Sequence, residues 1–435
     1  MFSRPALSAS PALLWMSLSC LLCLTGCRGQ DDPEQETTPP TMDDMTASAD
    51  MSDDAGNTTP SGEMAMPVAL KVATFNASLF RERQGQLVED LEGGQDAQAK
   101  RVAEVLQRVQ PDIFLVNEFD YDSQGKAADI FAREYLGQAQ NGATAYGELF
   151  VYVPETNTGE HSGEDLDQNG QVVSEPGGVS YGNDAYGFGT FPGQYGMVIF
   201  SKYPLDTENV RTFRELLWSS MTDNLQPTDW YGEQAAGAMR LSSKNHVDLP
   251  VKVGDRVLHL LVSHPTPPSF DGPEDRNGKR NHDEIRLWSD YLSVGQADGY
   301  IVDDAGASGG LAEDAAFVIL GDLNSDPEDG GSRQEAIRGL LEHPRVQDTK
   351  PSSDGAREAA RDDGGANAGH DGDPTLDTAD FSDREVGNLR VDFALPSRNL
   401  TLVESGVFWP AKDDPLSGLA NVSDHHLVWV EVVME

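Results

Sequence analysis

The sequence predicts an α/β protein in which two mixed β-sheets pack together with helices outside. Three observations carry this. Apolar runs of strand length alternate with stretches of helical spacing, some strands follow one another directly, and several runs end abruptly in Asn, Glu, His or Asp. There is no internal repeat. The 435 residues are 38% hydrophobic, enough for a real core in a chain this long. The 43 glycines and 25 prolines point to many loops rather than a helical array.

The chain opens on an address. Its three cysteines are Cys20, Cys23 and Cys27. Arg4 precedes an apolar run over 11–24, too short for a membrane span and right for a secretory signal. The run closes Leu24-Thr25-Gly26-Cys27, which resembles the lipobox of bacterial lipoproteins. That resemblance implies a signal peptide over 1–26, cleavage before Cys27 and lipidation of its thiol. It also implies export to the cell envelope and a lipid anchor in a bacterial membrane. The alternative is an ordinary signal peptide whose cysteines have no role. After lipidation the exported domain has no free thiol, disulfide or cysteine metal site. Residues 27–67 read as a disordered acidic linker, since 28–67 holds ten acids and one base without periodicity.

The folded domain is expected over 68–435. A buried strand is read at 69–76, then a helix at 98–109 through Val102, Val105, Leu106 and Val109, stopped by Pro111. Strands follow at 113–116, 197–200 and 257–262, a helix at 281–292 and a strand at 317–320. Ser332-Arg333-Gln334-Glu335 reads as a capping box for a helix to Leu341. Strands at 391–395 and 427–433 close the chain. The loops over 154–193 and 350–380 are long for a compact domain, and such loops are often functional or metal-bound.

The polar strand ends are Asn76, Asn117-Glu118, His264, Asp322 with Asn324, Asp392 and Asp424-His425-His426. Strand ends are held rigidly and can converge in one cleft. The segments also resemble a known family. They are Thr74-Phe75-Asn76, Asn117-Glu118, Gly196-Met197-Val198-Ile199-Phe200-Ser201-Lys202-Tyr203-Pro204, Ser263-His264, Gly321-Asp322-Leu323-Asn324-Ser325-Asp326-Pro327, Arg390-Val391-Asp392-Phe393 and Ser423-Asp424-His425. In that order they resemble the endonuclease/exonuclease/phosphatase superfamily, which includes pancreatic deoxyribonuclease, neutral sphingomyelinases and inositol polyphosphate phosphatases. The resemblance implies a four-layer α/β sandwich and metal-dependent hydrolysis of a phosphate ester.

It also implies roles. Glu118 and Asp424 would hold the metal, Mg²⁺ or Mn²⁺, and hard carboxylate oxygens suit such a cation. Asp322 would orient or deprotonate the attacking water, although Asp and Asn at a strand end also suit an Asx turn. Asn76 and Asn324 would donate amides to phosphate oxygens. His425 would contact phosphate and move protons, with Asp392 fixing its tautomer. His264 is the candidate to protonate the leaving oxygen. His426 should point away and be structural. Asn117 departs from the Gln that the family often has before the metal Glu.

Three features stand outside that set. Arg276, Lys279, Arg280 and Arg286 form the densest basic cluster, either a phosphate-attracting patch or a solvated, paired stretch. Asp165, Asp167 and Asn169 open a calcium-loop pattern, Asp-x-Asp-x-Asn-Gly, which lacks its closing Glu and has Glu175 one residue early. It is either a structural Ca²⁺ site or a plain acidic turn. Tyr186, Phe188, Phe191 and Tyr195 grip a substrate or pack their own loop.

The net charge of -42 disfavours bulk nucleic acid as substrate, because binding to it runs on Lys and Arg displacing counterions. The resulting expectation is a monomeric, exported phosphoesterase acting on phosphate mono- or diesters. A non-specific secreted nuclease and a catalytically inactive, calcium-dependent envelope binding protein are the alternatives.

Overall fold

Along β1 (Val68–Leu79), Leu70 and Val72 face one side while Ala73, Phe75 and Ala77 face the other, and both faces are buried. A strand covered on both sides requires a layer above and a layer below. The structure, a computed structural model, describes residues 66–295 and 298–435. The expected signal peptide, Cys27 and all but the last two residues of the acidic linker lie outside the described residues.

Twelve strands follow β1. They are β2 (Ile113–Phe119), β3 (Phe150–Tyr152), β4 (Met197–Ser201), β5 (Arg211–Thr212), β6 (His246–Val253), β7 (Arg256–Ser263), β8 (Ala316–Asp322), β9 (Ala379–Asp380), β10 (Asn388–Leu389), β11 (Asp392–Pro396), β12 (Thr401–Phe408) and β13 (Leu427–Met434). One sheet runs β12-β13-β1-β2-β4-β3 and the other β11-β8-β7-β6-β5, with β9 and β10 forming a small hairpin. Both large sheets are mixed: β1 and β2 are parallel, as are β7 and β8, and their other pairings are antiparallel.

Three apolar clusters fill the gaps between four layers. Val72, Leu115, Leu260, Leu320 and Val430 interdigitate between the sheets. Phe75, Phe114 and Val116 pack on Val102 and Leu106 of α1 (Ala97–Val109). Leu261, Ile319 and Phe393 pack on Ile285 and Trp288 of α2 (Arg276–Leu292) and Ile337 of α3 (Gln334–Leu341). The sandwich read from the sequence is the fold observed.

Several elements differ from expectation. The α2 helix starts five residues earlier than predicted and absorbs part of the basic cluster. The capping box does not form: Arg333 is the N-cap of α3 with no side-chain cap, and the Ser332 hydroxyl accepts from Ser325 instead. β6 was masked in the sequence by Pro250, a residue that argues against an inner strand. Its carbonyl accepts from the Asp206 N–H on the side away from β7, so the missing proline N–H falls outside the β6–β7 ladder. The 350–380 loop contains a helix, α4 (Asp354–Asp363).

Candidate active site

The inward-facing row of each central strand starts aliphatic and turns polar toward its end. Val72 gives way to Asn76, Leu115 to Asn117, Val262 to His264 and Leu320 to Asp322. Asp392 stands directly beside Asp322 in the β8–β11 register, as Asn76 stands beside Asn117 between β1 and β2. The two sheets therefore bring these side chains to one end of their shared gap. The approach of β8 to β7 demands glycine before the aspartate: a Cβ on Gly321 would lie 2.0 Å from the Ser263 carbonyl oxygen.

The Oδ2 atom of Asp322 is the hub. It accepts from the Asn76 amide at 3.1 Å and lies 3.4 Å from His264 Nε2 and 3.7 Å from His425 Nε2. Its Oδ1 takes the Asn324 N–H at 2.9 Å, so the Asx turn forms and the carboxylate still faces the cleft. Behind His425, Asp392 Oδ2 meets its Nδ1 at 2.9 Å. Asp392 is fully buried and also accepts from the Thr378 hydroxyl at 2.9 Å. The same hydroxyl receives the backbone N–H groups of Val391 and Asp392. Phe381 sets its ring edge-to-face on His425 at 5.3 Å. Thr378 and Phe381 come from the long 350–380 stretch and its border; no spacing in the sequence marks them.

Electrostatics sort the protons. Burial would lower the His425 pKa, but the carboxylates of Asp392 and Asp322 outweigh it and hold it well above the usual imidazole value. Burial would raise Asp322, but His425, His264 and Asn76 pull it below the usual carboxylate value. Asp392 is raised by burial to about 6, against the charge of His425. His264 is lowered by burial and by Lys244, with Asp322 opposing. The centre is thus a charged imidazole flanked by carboxylates, with a neutral imidazole beside it.

The other predicted residues fall around this centre. Each of the two amides expected to reach phosphate already has one partner: Asn76 donates to Asp322, and Asn324 to the Pro265 carbonyl at 3.1 Å. An amide NH₂ has a second hydrogen for phosphate. Glu118 is half-buried and close enough to act on His264 and Lys244. Its backbone sits at φ 57, and Ser78 and Asn324 take φ 48 and 52 at neighbouring strand ends. Left-handed backbone in such residues is uncommon and gathers at functional sites. Asp424 is exposed and accepts from the Ser78 and Ser423 hydroxyls. His426 turns away and stacks on Trp409 with centroids 3.6 Å apart.

Asp322, Asp392 and His425 place ligand-type atoms within 4.8 Å of one another. That donor set could hold a cation, and the carboxylates also favour a charged His425 between them. Glu118 and Asp424 supply hard oxygen at its rim, the donor chemistry of a divalent cation. Beside Glu118, both polar atoms of the buried Asn117 side chain lack a partner among the described residues. Such orphans fit a site whose hydrated ion completes their bonding.

Within the calcium-loop pattern, Asp165 and Asp167 lie together with the buried Asp184, and the Asn169 backbone N–H donates to both Asp165 and Asp167 while its side-chain oxygen accepts the Gln171 N–H. The basic cluster is not a free patch either. Arg280 is buried and donates to the carbonyls of Arg240 and Leu241, Arg276 pairs with Glu274, and Lys279 donates to the Glu274 carbonyl. Among the loop aromatics, Phe191 is buried, Tyr186 lies under Arg240 and Tyr195 meets Phe80.

A four-layer sandwich with Asn, Glu, His and Asp at its strand ends defines a phosphoester-hydrolase architecture. The chain belongs to the Endonuclease/Exonuclease/phosphatase family, which its sequence matches over residues 73–425. Members of that family are hydrolases acting on phosphoesters. Among solved structures it is similar to an endonuclease/exonuclease/phosphatase from Beutenbergia cavernae, at 16% identity and TM-score 0.44, covering 84% of this chain and 71% of that one. It is also similar to sphingomyelinase C from Streptomyces griseocarneus, at 13% identity and TM-score 0.42, covering 84% and 99%. A mannosyl-6-phosphatase from Bacteroides thetaiotaomicron gives 12% identity and TM-score 0.42, covering 84% and 100%. Among curated proteins nothing matches the chain.

Proposed function

We propose that this chain is a metal-dependent phosphoric ester hydrolase in which water attacks phosphorus. The observation that carries the reading is the convergence of Asn76, His264 and His425 on one oxygen of Asp322, with Asp392 behind His425. An anionic Asp322 can orient the water and take its proton as the new P–O bond forms. A cationic His425 offers a charge-assisted hydrogen bond to a phosphate oxygen. The neutral His264 stands on the other side of Asp322, placed to relay the proton taken from water to the leaving oxygen as its bond to phosphorus breaks. Asn76 and Asn324 fix the phosphate with their remaining amide hydrogens. Glu118 and Asp424 would hold the divalent cation, Mg²⁺ or Mn²⁺, which supplies Lewis-acid neutralisation of phosphate charge.

The acidic domain favours phospholipid or sugar-phosphate esters over bulk nucleic acid, since Arg276, Lys279 and Arg280 of its densest basic cluster are engaged by Glu274 and backbone carbonyls. The reading also places the mature protein on a bacterial envelope through lipidated Cys27. In a Cys27→Ser chain, fatty-acid labelling should vanish and unprocessed precursor should accumulate. Among the described residues no helix is long and apolar enough to cross a membrane.

The decisive assay is hydrolysis of chromogenic mono- and diesters, with and without EDTA. Chelation should abolish turnover and Mg²⁺ or Mn²⁺ should restore it. His425→Ala should lose at least about 100-fold in kcat. Full activity in that variant sinks the mechanism.

A further inference from the structure

One more basic side chain ends close to this centre. Lys244 lies just before β6 and is 6% exposed. Its Nζ donates to the Pro265 carbonyl at 3.5 Å, the same oxygen that takes the Asn324 amide at 3.1 Å. Two side chains therefore meet at the carbonyl that directly follows His264. A 3.5 Å bond is long for an N–H donor. The carboxylates of Glu284, Glu118 and Asp322 attract the ammonium, yet it forms no ion pair among the described residues.

The backbone around Lys244 is clamped. Glu284 accepts the N–H of Ser243 at 2.6 Å and that of Thr266 at 2.7 Å, tying the strand ends on either side together. The Lys244 carbonyl accepts the Asn157 N–H at 2.9 Å. Gly187 comes so close to Ser243 that a Cβ there would lie 1.8 Å from the Ser243 carbonyl oxygen. The long 154–193 loop thus packs behind this lysine.

A lysine held this firmly inside protein, with donors left over, is costly unless an anion completes it. Burial lowers its pKa while the three carboxylates oppose the change. It is also one cause of the lowered pKa of His264, and it meets the carbonyl of the residue that follows that histidine.

We propose that the Lys244 ammonium binds a non-bridging oxygen of the substrate phosphate. The inference rests on the phosphoesterase reading and adds a substrate-binding residue to it. In an acidic molecule, a buried cation at the cleft end gives an incoming phosphate a local destination. Lys244, Asn324 and His425 would then surround the phosphate, leaving Asp322 to face the attacking water.

The test compares the mature chain with Lys244→Met and Lys244→Arg. Three quantities are read: kcat/KM on bis(p-nitrophenyl) phosphate, inhibition by inorganic phosphate, and Mn²⁺ affinity by titration. For Lys244→Met, kcat/KM should fall about 100-fold. Its phosphate inhibition constant should rise about tenfold, the loss of one charged hydrogen bond. Mn²⁺ affinity should stay at the parental value, and Lys244→Arg should recover part of the loss. Parental kcat/KM and parental phosphate inhibition in Lys244→Met overturn the proposal. If circular dichroism shows Lys244→Met unfolded, Lys244→Gln is judged by the same criteria. A parent chain that hydrolyses no ester but binds phosphate, with binding lost in Lys244→Met, removes the hydrolase reading and keeps the anion site. A parent chain that binds no phosphate overturns the site itself.

Discussion

His425 is held charged between two carboxylates, and its behaviour depends on which of them gains a proton first. Asp392, raised to about 6, is the more easily protonated, since Asp322 is depressed. As pH falls through about 6, Asp392 takes a proton and loses the charge-assisted hydrogen bond that keeps the imidazole aligned. An acid limb in kcat/KM near pH 6 is therefore expected. Thr378→Val removes a hydrogen bond that lowers Asp392, so that limb should move to higher pH. Asp392→Asn should reduce kcat/KM about 10–100-fold, the usual effect of losing the group that orients a working histidine. A pH–rate profile of each variant checks both statements. Stability has its own signs. The Asp322 contribution is present above its unfolded value and fades as pH falls through its depressed folded one. That of His425 is present below its unfolded value and fades as pH rises through its raised folded one. Asp322, Asp392 and His425 were legible because each borders an apolar run: Asp322 closes one, while Asp392 and His425 stand at the start of one. Thr378 and Lys244 were not, since a lone hydroxyl in a loop and a lysine before a proline-broken strand carry no pattern.

At the scale of elements, the site depends on how closely strands approach. Gly321→Ala would drive a methyl into the Ser263 carbonyl and push β8 from β7 just where Asp322 and His264 face each other. The expected cost is about 1–3 kcal/mol of stability with a disproportionate loss of activity. Thermal melts and kcat measured on one preparation separate the two effects. The central strands were readable because burial on both faces leaves a continuous apolar run. Edge elements were not. β12 is largely exposed, β5 has two residues, and β6 hides behind Pro250. The capping-box motif misled because the Ser332 hydroxyl found a nearer tertiary partner in Ser325. Glu118 shows a further limit: a strand-end carboxylate is visible in sequence, but the φ of 57 that breaks its alternation is not.

The described residues form a four-layer sandwich, and the full chain carries an excess of acid, with a net charge of -42. Exposed like charges repel at low ionic strength, and salt shortens their reach from about 30 Å at 0.01 M to about 8 Å at 0.15 M. The melting temperature should therefore rise with added salt, and a flat or falling curve would show that the acids are already neutralised locally. Layering also sets an order of events. Central strand β1 is flanked by β2 and by β13, and β13 is the last strand in the chain. Asn76 comes from the first strand, and His425 stands two residues before the last. A nascent chain can lay down β1 and β2 early, but it has neither the second neighbour of β1 nor its imidazole until residues 425–434 have been made. A chain ended at residue 424 should be inert and prone to aggregate through the bare edge of β1, as light scattering would record. The candidate active centre is therefore complete only once β13, with His425 just before it, has joined β1.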